Sequence, residues 1–223
     1  MPDLEDTYLQ KIARFAHEIH CENQDGHGFD HIERVVSLAQ KILLTEPTAN
    51  KKIVLSAAYL HDTYDEKITK NQAEQKEKVR KFLSALTETQ TVDEILFIID
   101  HMSFSSNLHE KISLNLNGQI VQDADRLDAM GAFGIARTLQ YGFKKKRELY
   151  NPKIKPMTYA SKAAYHQQEK NTTINHFYEK LFLLKGLLNT DKAKAMAVSR
   201  DKIMHDFVTA IEREENENKR DEN

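Results

Sequence analysis

Apolar residues recur at three- and four-residue spacing through most of the chain, the period of a helix that buries one face. In TDKAKAMAVSRDKIMHDFVTAIERE, the residues Met196, Ile203, Met204, Phe207, Val208 and Ile211 form one stripe, with Thr190 or Asp191 placed to cap its start. VDEILFIIDHM sets Val92, Ile95, Leu96 and Ile99 at the same spacing. KKIVLSAAYLHD, from Lys51, is apolar on most faces, which predicts a central rather than a peripheral helix. Leu4–Cys21, His31–Leu44, Asn71–Leu86, Asp123–Tyr141 and Thr172–Leu188 also read as helices. Alternating Val- and Thr-rich runs are few, and with only 7 Gly and 4 Pro nothing reads as a sheet. The expected fold is all-α, a single domain over residues 1–213, with core helices at about 20–140 and C-terminal helices at about 158–213. The segment from Gly142 to Pro156, with two prolines and a run of Lys and Arg, reads as an irregular excursion. Residues 214–223 form a charged tail expected to fray.

Composition narrows the function classes. Apolar residues at 40 % and charged residues at 30 % fit a globular protein with a substantial core. A net charge of −2, with no basic stripe carrying interleaved aromatics, gives no pull toward nucleic acid or an anionic membrane. A single cysteine, Cys21, rules out an internal disulfide framework and fits a reducing compartment. No apolar run approaches the roughly 20 residues of a membrane span. The acidic N-terminus has no leader-like apolar stretch, so the cytoplasm is the expected location. A small-molecule ligand remains, bound by a monomer or a homodimer.

The chemistry concentrates in four places. GHGFDHIERV holds His27 and His31, with Arg34 one turn beyond; LHDTYDEK holds His61, Asp62, Asp65, Glu66 and Lys67. DHMSFSS holds His101, and VQDADRLDAMGAFGIAR holds Asp123, Asp125 and Asp128. A helix as apolar as IVLSAAY would end in His61 and Asp62 only if something compensated their burial, because an unpaired buried charge costs several kcal/mol. Imidazoles mixed with carboxylates suit a divalent cation of the Mn, Fe, Co, Ni or Zn type. Two neutral histidines and two aspartates supply a charge of −2, which a dication cancels.

These residues resemble a known family. His31, His61–Asp62 and Asp125 reproduce the H…HD…D signature of the HD-domain phosphohydrolases, an all-helical superfamily. The segments His27–Val35, Leu60–Lys67, His101–Ser105, Asp123–Arg137 and Tyr141–Gly142 are similar to those of its bacterial YpgQ/YedJ-like branch, from about residue 20 to the last helix. The dipeptide HD means little alone; four ordered segments in one helical chain are specific. The resemblance implies a helical HD-domain fold in which His31, His61, Asp62 and Asp125 bind one divalent metal. Mn is preferred, with Mg, Co, Ni, Fe and Zn as alternatives. It selects Asp125 over Asp123 and Asp128 because the family's last ligand directly precedes the basic residue of the ADR-type segment. Met102 stands where many relatives carry a second histidine, but no ligand is lost. The substrate implied is a nucleoside triphosphate, split into monophosphate and pyrophosphate.

From the residues alone, the chemistry is hydrolysis of a phosphoester or phosphoanhydride. Asp65 is the favoured general base, one turn from His61 if the helix continues, with Glu66 second. Arg34, Lys67, His101 and Arg126 are candidates for phosphate charge, and His27 either joins them or caps the helix of His31. Asp128 is placed to orient a ligand imidazole or to hold Arg126. The basic run Lys144–Arg147 reads as a solvated loop, with a phosphate-contacting lid as its alternative. His17, His20 and Cys21 in HEIHC lack a fourth ligand nearby, and DADRLD fails as a calcium loop because its sixth position is Asp128 rather than Gly. The rival functions are a nucleoside monophosphate phosphatase, a di-iron oxygenase drawing on His27 and His101, and a non-catalytic nucleotide sensor.

Overall fold

The structure, a computed structural model, describes residues 4–21, 28–66, 68–107, 112–157 and 171–220, with side chains from 7 to 217. Nine α-helices are found among them and no strand: α1 (Leu4–His20), α2 (Phe29–Leu43), α3 (Lys51–Leu60), α4 (Gln72–Ser84), α5 (Thr89–His101), α6 (Leu116–Asp128), α7 (Gly131–Lys144), α8 (Asn175–Glu179) and α9 (Asp191–Arg220). Short 3-10 turns occupy Ser105–Asn107 and Leu181–Leu187.

Three helices start on asparagine. Asn50, Asn71 and Asn115 each accept a hydrogen bond from the backbone N–H three residues on, satisfying a donor that the first turn leaves open. The first of these, α3, is the central helix that its all-round apolar sequence predicts: Ile53, Val54, Leu55, Ala57, Ala58 and Leu60 are all buried. Burying each of its larger side chains contributes about 1.5–3 kcal/mol. α2, α3 and α6 pack against one another, α1 and α5 cover α3, and α9 lies against α7 and α6. The histidines and aspartates of the signature sit on α2, at the end of α3 and on α6, the three mutually packed helices.

Four expectations need correction. The helix expected over Asp123–Tyr141 is two, and α6 begins earlier, at Leu116. The break falls at Ala129–Met130, and Gly131 opens α7 with φ +73, a left-handed conformation that L side chains rarely adopt. A Cβ on Gly134 would come within 2.2 Å of the Ala129 carbonyl oxygen, so the turn closes only on glycine. The helix expected over Thr172–Leu188 is instead α8 followed by the 3-10 turn. Its end is tied across the molecule: the Leu187 carbonyl accepts from Arg126, and the Asn189 and Thr190 N–H groups donate to Asp123. These bonds hold the backbone off a straight helical path. The irregular excursion starts after Lys144, not at Gly142, with Lys146 at φ 53 making the turn. Beyond residue 214 the chain remains helical to Arg220, where a frayed tail was expected.

Candidate metal centre

His31 lies in the first turn of α2 and is 1 % exposed. Its Nδ1 donates to Oδ2 of Asp128 at 2.8 Å. His61 caps the C-terminus of α3, and its Nδ1 donates to the Ala58 carbonyl at 2.9 Å. A carbonyl only accepts and an ionised carboxylate only accepts, so the proton of each neutral imidazole sits on Nδ1. Each Nε2 then carries a lone pair, and the two Nε2 atoms face each other at 3.1 Å. Two lone pairs at that distance repel unless a cation or a proton stands between them.

Carboxylates complete the enclosure. Asp62 approaches the Nε2 of His31 at 3.5 Å and that of His61 at 3.6 Å, and Asp125 stands 3.7 Å from both. Donor atoms about 2.0–2.2 Å from a shared ion lie roughly 3–3.5 Å from one another, and the separations here run from 3.1 to 3.7 Å. The donor set, its spacing and the opposed lone pairs all fit a divalent ion. Among the described residues, His31, His61 and Asp62 form a cluster with ligand atoms within 4.8 Å of one another, and Asp125 adds a fourth.

Behind His31 lies a second layer of charge. Asp128, 1 % exposed, accepts from His31, from Arg34 Nε at 2.7 Å and from Arg137 at 2.8 Å. Burial alone would raise its pKa, but these donors hold the carboxyl well below the usual range. Burial and Arg137 push His31 down, yet the Asp128 and Asp62 carboxylates prevail and its pKa is raised. Second-layer partners of this kind fix the tautomer and ring orientation of a ligand imidazole.

A pocket of about 350 Å³ opens on the cluster, lined by His61, Asp62, Asp65 and Asp125 together with Tyr64, Gln72, Lys76, Asp100, Met102 and Ser103. Asp65 reaches it by a route other than the expected one. α3 stops at Leu60, and a turn in which the Asp65 N–H donates to the Asp62 carbonyl at 3.1 Å carries the chain round. Glu66 is exposed and does not line the pocket. Arg34 is engaged by Asp128 and Asp30 and lies over the Phe133 ring. Arg126 is buried, with its guanidinium on the Leu187 carbonyl rather than on Asp128 or in the pocket. His101 donates through Nδ1 to the Phe97 carbonyl at 2.7 Å, one residue from the pocket wall. His27 and Lys67 lie outside the described residues. Lys145 and Arg147 lie over the Tyr141 ring rather than against the pocket.

The three aspartates of DADRLD divide their labour. Asp123 is fully buried and gathers the N–H groups of Asn189 and Thr190 with the Thr190 hydroxyl, at 2.7–2.9 Å, clamping the start of α9. Asp125 joins the cluster and Asp128 supports it. Sequence reasoning passed over Tyr64, Lys76 and Asp100. The signal for Asp100 was present, since it directly precedes His101 in an apolar helix, whereas Lys76 resembles any lysine on a solvated helix face.

Comparison with known proteins finds relatives that span most of the chain. The family model of the HD domain matches residues 28–130, from the residue before α2 to the end of the α6 turn. YpgQ of Bacillus subtilis is 31 % identical over 214 residues, spanning 92 % of this chain and 92 % of YpgQ. A crystal structure of YpgQ in complex with ADP matches with a TM-score of 0.72 at 29 % identity, covering 92 % of this chain and 97 % of that one. A Lactobacillus plantarum protein of known crystal structure gives a TM-score of 0.88 at 42 % identity, covering 95 % and 98 %. The crystal structure of an HD-superfamily hydrolase from Bacillus thuringiensis gives 0.71 at 35 % identity, covering 95 % and 98 %. With the ordered signature converging on one centre inside an all-helical fold, this chain belongs to the HD-domain superfamily of metal-dependent hydrolases.

Proposed function

We propose that this protein hydrolyses nucleoside triphosphates to nucleoside monophosphate and pyrophosphate with one divalent metal, Mn preferred, at His31, His61, Asp62 and Asp125. The observation that carries the reading is the convergence of those four donors beside a pocket that three of them line and that also holds the carboxylate of Asp65. The ADP complex of YpgQ supports a nucleotide as the ligand class. Bound there, a divalent ion supplies Lewis-acid polarisation of the phosphorus centre and lowers the pKa of water toward neutrality.

The remaining work belongs to the side chains. Asp128 and the Ala58 carbonyl hold the two imidazoles with their lone pairs turned inward. Asp65 takes the proton of the attacking water. A bond forms from the water oxygen to the α-phosphorus as the bond to the bridging oxygen breaks, and pyrophosphate leaves with that electron pair. Glu66 is the weaker candidate for base because it does not line the pocket.

The test is a product assay. The chain is stripped with chelator, reloaded with Mn, Mg, Co, Ni or Zn singly, and offered nucleoside mono- and triphosphates, with phosphate read before and after added pyrophosphatase. Monophosphate plus pyrophosphate, lost in His61→Ala, is the expected result. Free phosphate from monophosphates would make the protein a nucleotidase, and no turnover with any metal would overturn the reading.

A further inference from the structure

The pocket wall formed by α4 and α5 is built differently from the end that carries the metal ligands. Among the described residues lining the pocket, the carboxylates of Asp62, Asp65, Asp100 and Asp125 stand against a single ammonium, that of Lys76. A phosphate chain entering these surroundings is repelled except beside the metal centre and beside Lys76. Asp100 fixes that ammonium: its Oδ2 lies 2.6 Å from Lys76 Nζ, and its Oδ1 accepts the Tyr64 hydroxyl at 3.0 Å. Tyr64 is buried, and its hydroxyl donates to Asp100 from the pocket wall. With both oxygens engaged, Asp100 serves as an anchor for Lys76 rather than as a base. The Lys76 side chain is 37 % exposed, within reach of a solute. An ammonium has three N–H groups; Asp100 takes one, and two are left for phosphate oxygens.

We infer that Lys76 is the phosphate-chain anchor of this pocket, binding the phosphates that are not under attack and so favouring di- and triphosphorylated substrates over monophosphates. The inference rests on the nucleotide phosphohydrolase reading above. Its logic is that a triphosphate brings phosphate oxygens for Lys76 besides those under attack, whereas a monophosphate brings only the phosphoryl group held at the metal centre. Asp100 also lowers the entropy lost when substrate binds, because it already holds the long lysine side chain in one place.

The experiment uses the full chain loaded with Mn and compares wild type with Lys76→Ala, Lys76→Met and Lys76→Arg. Lys76→Met keeps the aliphatic stem and loses only the charge. The expected result is a KM for triphosphate raised about tenfold or more in Lys76→Ala and Lys76→Met. The accompanying kcat should stay within threefold, metal affinity and inhibition by a nucleoside monophosphate should be unchanged, and Lys76→Arg should recover most of the loss. A KM within twofold of wild type in both uncharged variants would overturn the anchor and leave the hydrolase reading standing. A parallel loss of metal affinity would overturn it too, by assigning Lys76 to the architecture of the centre. If wild type turns over no nucleotide, the hydrolase reading falls, and calorimetry with pyrophosphate decides the anchor separately. There a tenfold weaker affinity in Lys76→Met supports it and an equal affinity overturns it.

Discussion

The imidazole of His31 and the carboxylate of Asp128, 97 residues apart in sequence, meet through a 2.8 Å hydrogen bond that leaves the far ring nitrogen turned toward His61. That bond joins the first turn of α2 to the last turn of α6 and sets the tautomer in which the Nε2 lone pair faces His61. Arg34 and Arg137 hold the same carboxylate from two further directions, so Asp128 has little freedom to rotate away.

Asp128→Asn keeps the shape but removes the charge and half of the acceptor capacity. Metal affinity should fall by about 10–100-fold, the usual cost of losing the partner of a ligand histidine. Competition with a chromophoric chelator measures it directly, and affinity within twofold of wild type would remove Asp128 from the support of the centre. Arg137→Lys, which retains a cation but not the guanidinium fork, should weaken the metal by less.

Asp65 and Glu66 separate cleanly by position. Asp65→Asn should retain stoichiometric metal while kcat drops by roughly 10²–10⁴, the range for loss of a general base. Glu66→Gln should leave kcat unchanged, because its side chain stands outside the pocket. Steady-state kinetics on metal-analysed samples decide the matter; the reverse pattern would hand the proton to Glu66.

The lowered pKa of Asp128 predicts a pH signature in stability. A carboxyl with a depressed folded-state pKa adds stability that is fully present above its unfolded value, about 3.9, and is lost as pH falls through its lower folded value. Urea midpoints of metal-free wild type and Asp128→Asn should therefore differ most at about pH 5, where Asp128 is ionised and His31 protonated, with the gap narrowing as pH rises through the raised pKa of His31 and closing below about pH 4. A gap that widens toward pH 3 would contradict the assignment. Acid should also release the metal, since the raised pKa of His31 lets protons compete for its ring at higher pH than for an ordinary histidine.

Gly131 is the hinge between the two halves of the DADRLDAMGAFG segment. An alanine there would hold φ +73 at a cost of about 1–2 kcal/mol, and its Cβ would meet the Arg200 side chain at 3.0–3.1 Å. Gly131→Ala should lower Tm by several degrees, at roughly 2–4 °C per kcal/mol for a chain of this size. It should also loosen the metal, because α7 carries the Arg137 that holds Asp128. An unchanged Tm by calorimetry would show that the turn tolerates a side chain.

The pattern of apolar positions is a local property, and it determined what local physics controls. Helical periodicity marked α1, α3, α4, α5 and α9 within a few residues of their observed starts, and the all-round apolar face of Ile53–Leu60 identified the central helix. His31, His61, Asp62 and an aspartate of the DADRLD segment were readable as a donor set for a related reason: imidazole and carboxylate are the donor types a divalent ion takes, and few reasons exist to place them beside buried helix faces; Asp125 was singled out only by resemblance to the HD family.

What the sequence could not decide depends on atoms brought together across long separations. Residues 123, 125 and 128 look alike in sequence, yet Asp123 clamps Asn189 and Thr190, Asp125 faces the two histidines, and Asp128 supports His31 from behind. Only the directions in which α6 meets α2, α3 and the start of α9 assign those roles. The same holds for the break at Gly131, where a helix-compatible sequence yields to packing against Arg200, and for Lys76, which becomes distinctive only once Asp100 fixes it on the pocket wall. By itself the sequence determined the helices and the donor set, because periodicity and ligand chemistry belong to the residues themselves. The tertiary structure decided which carboxylate does what, because that depends on which donors meet each oxygen.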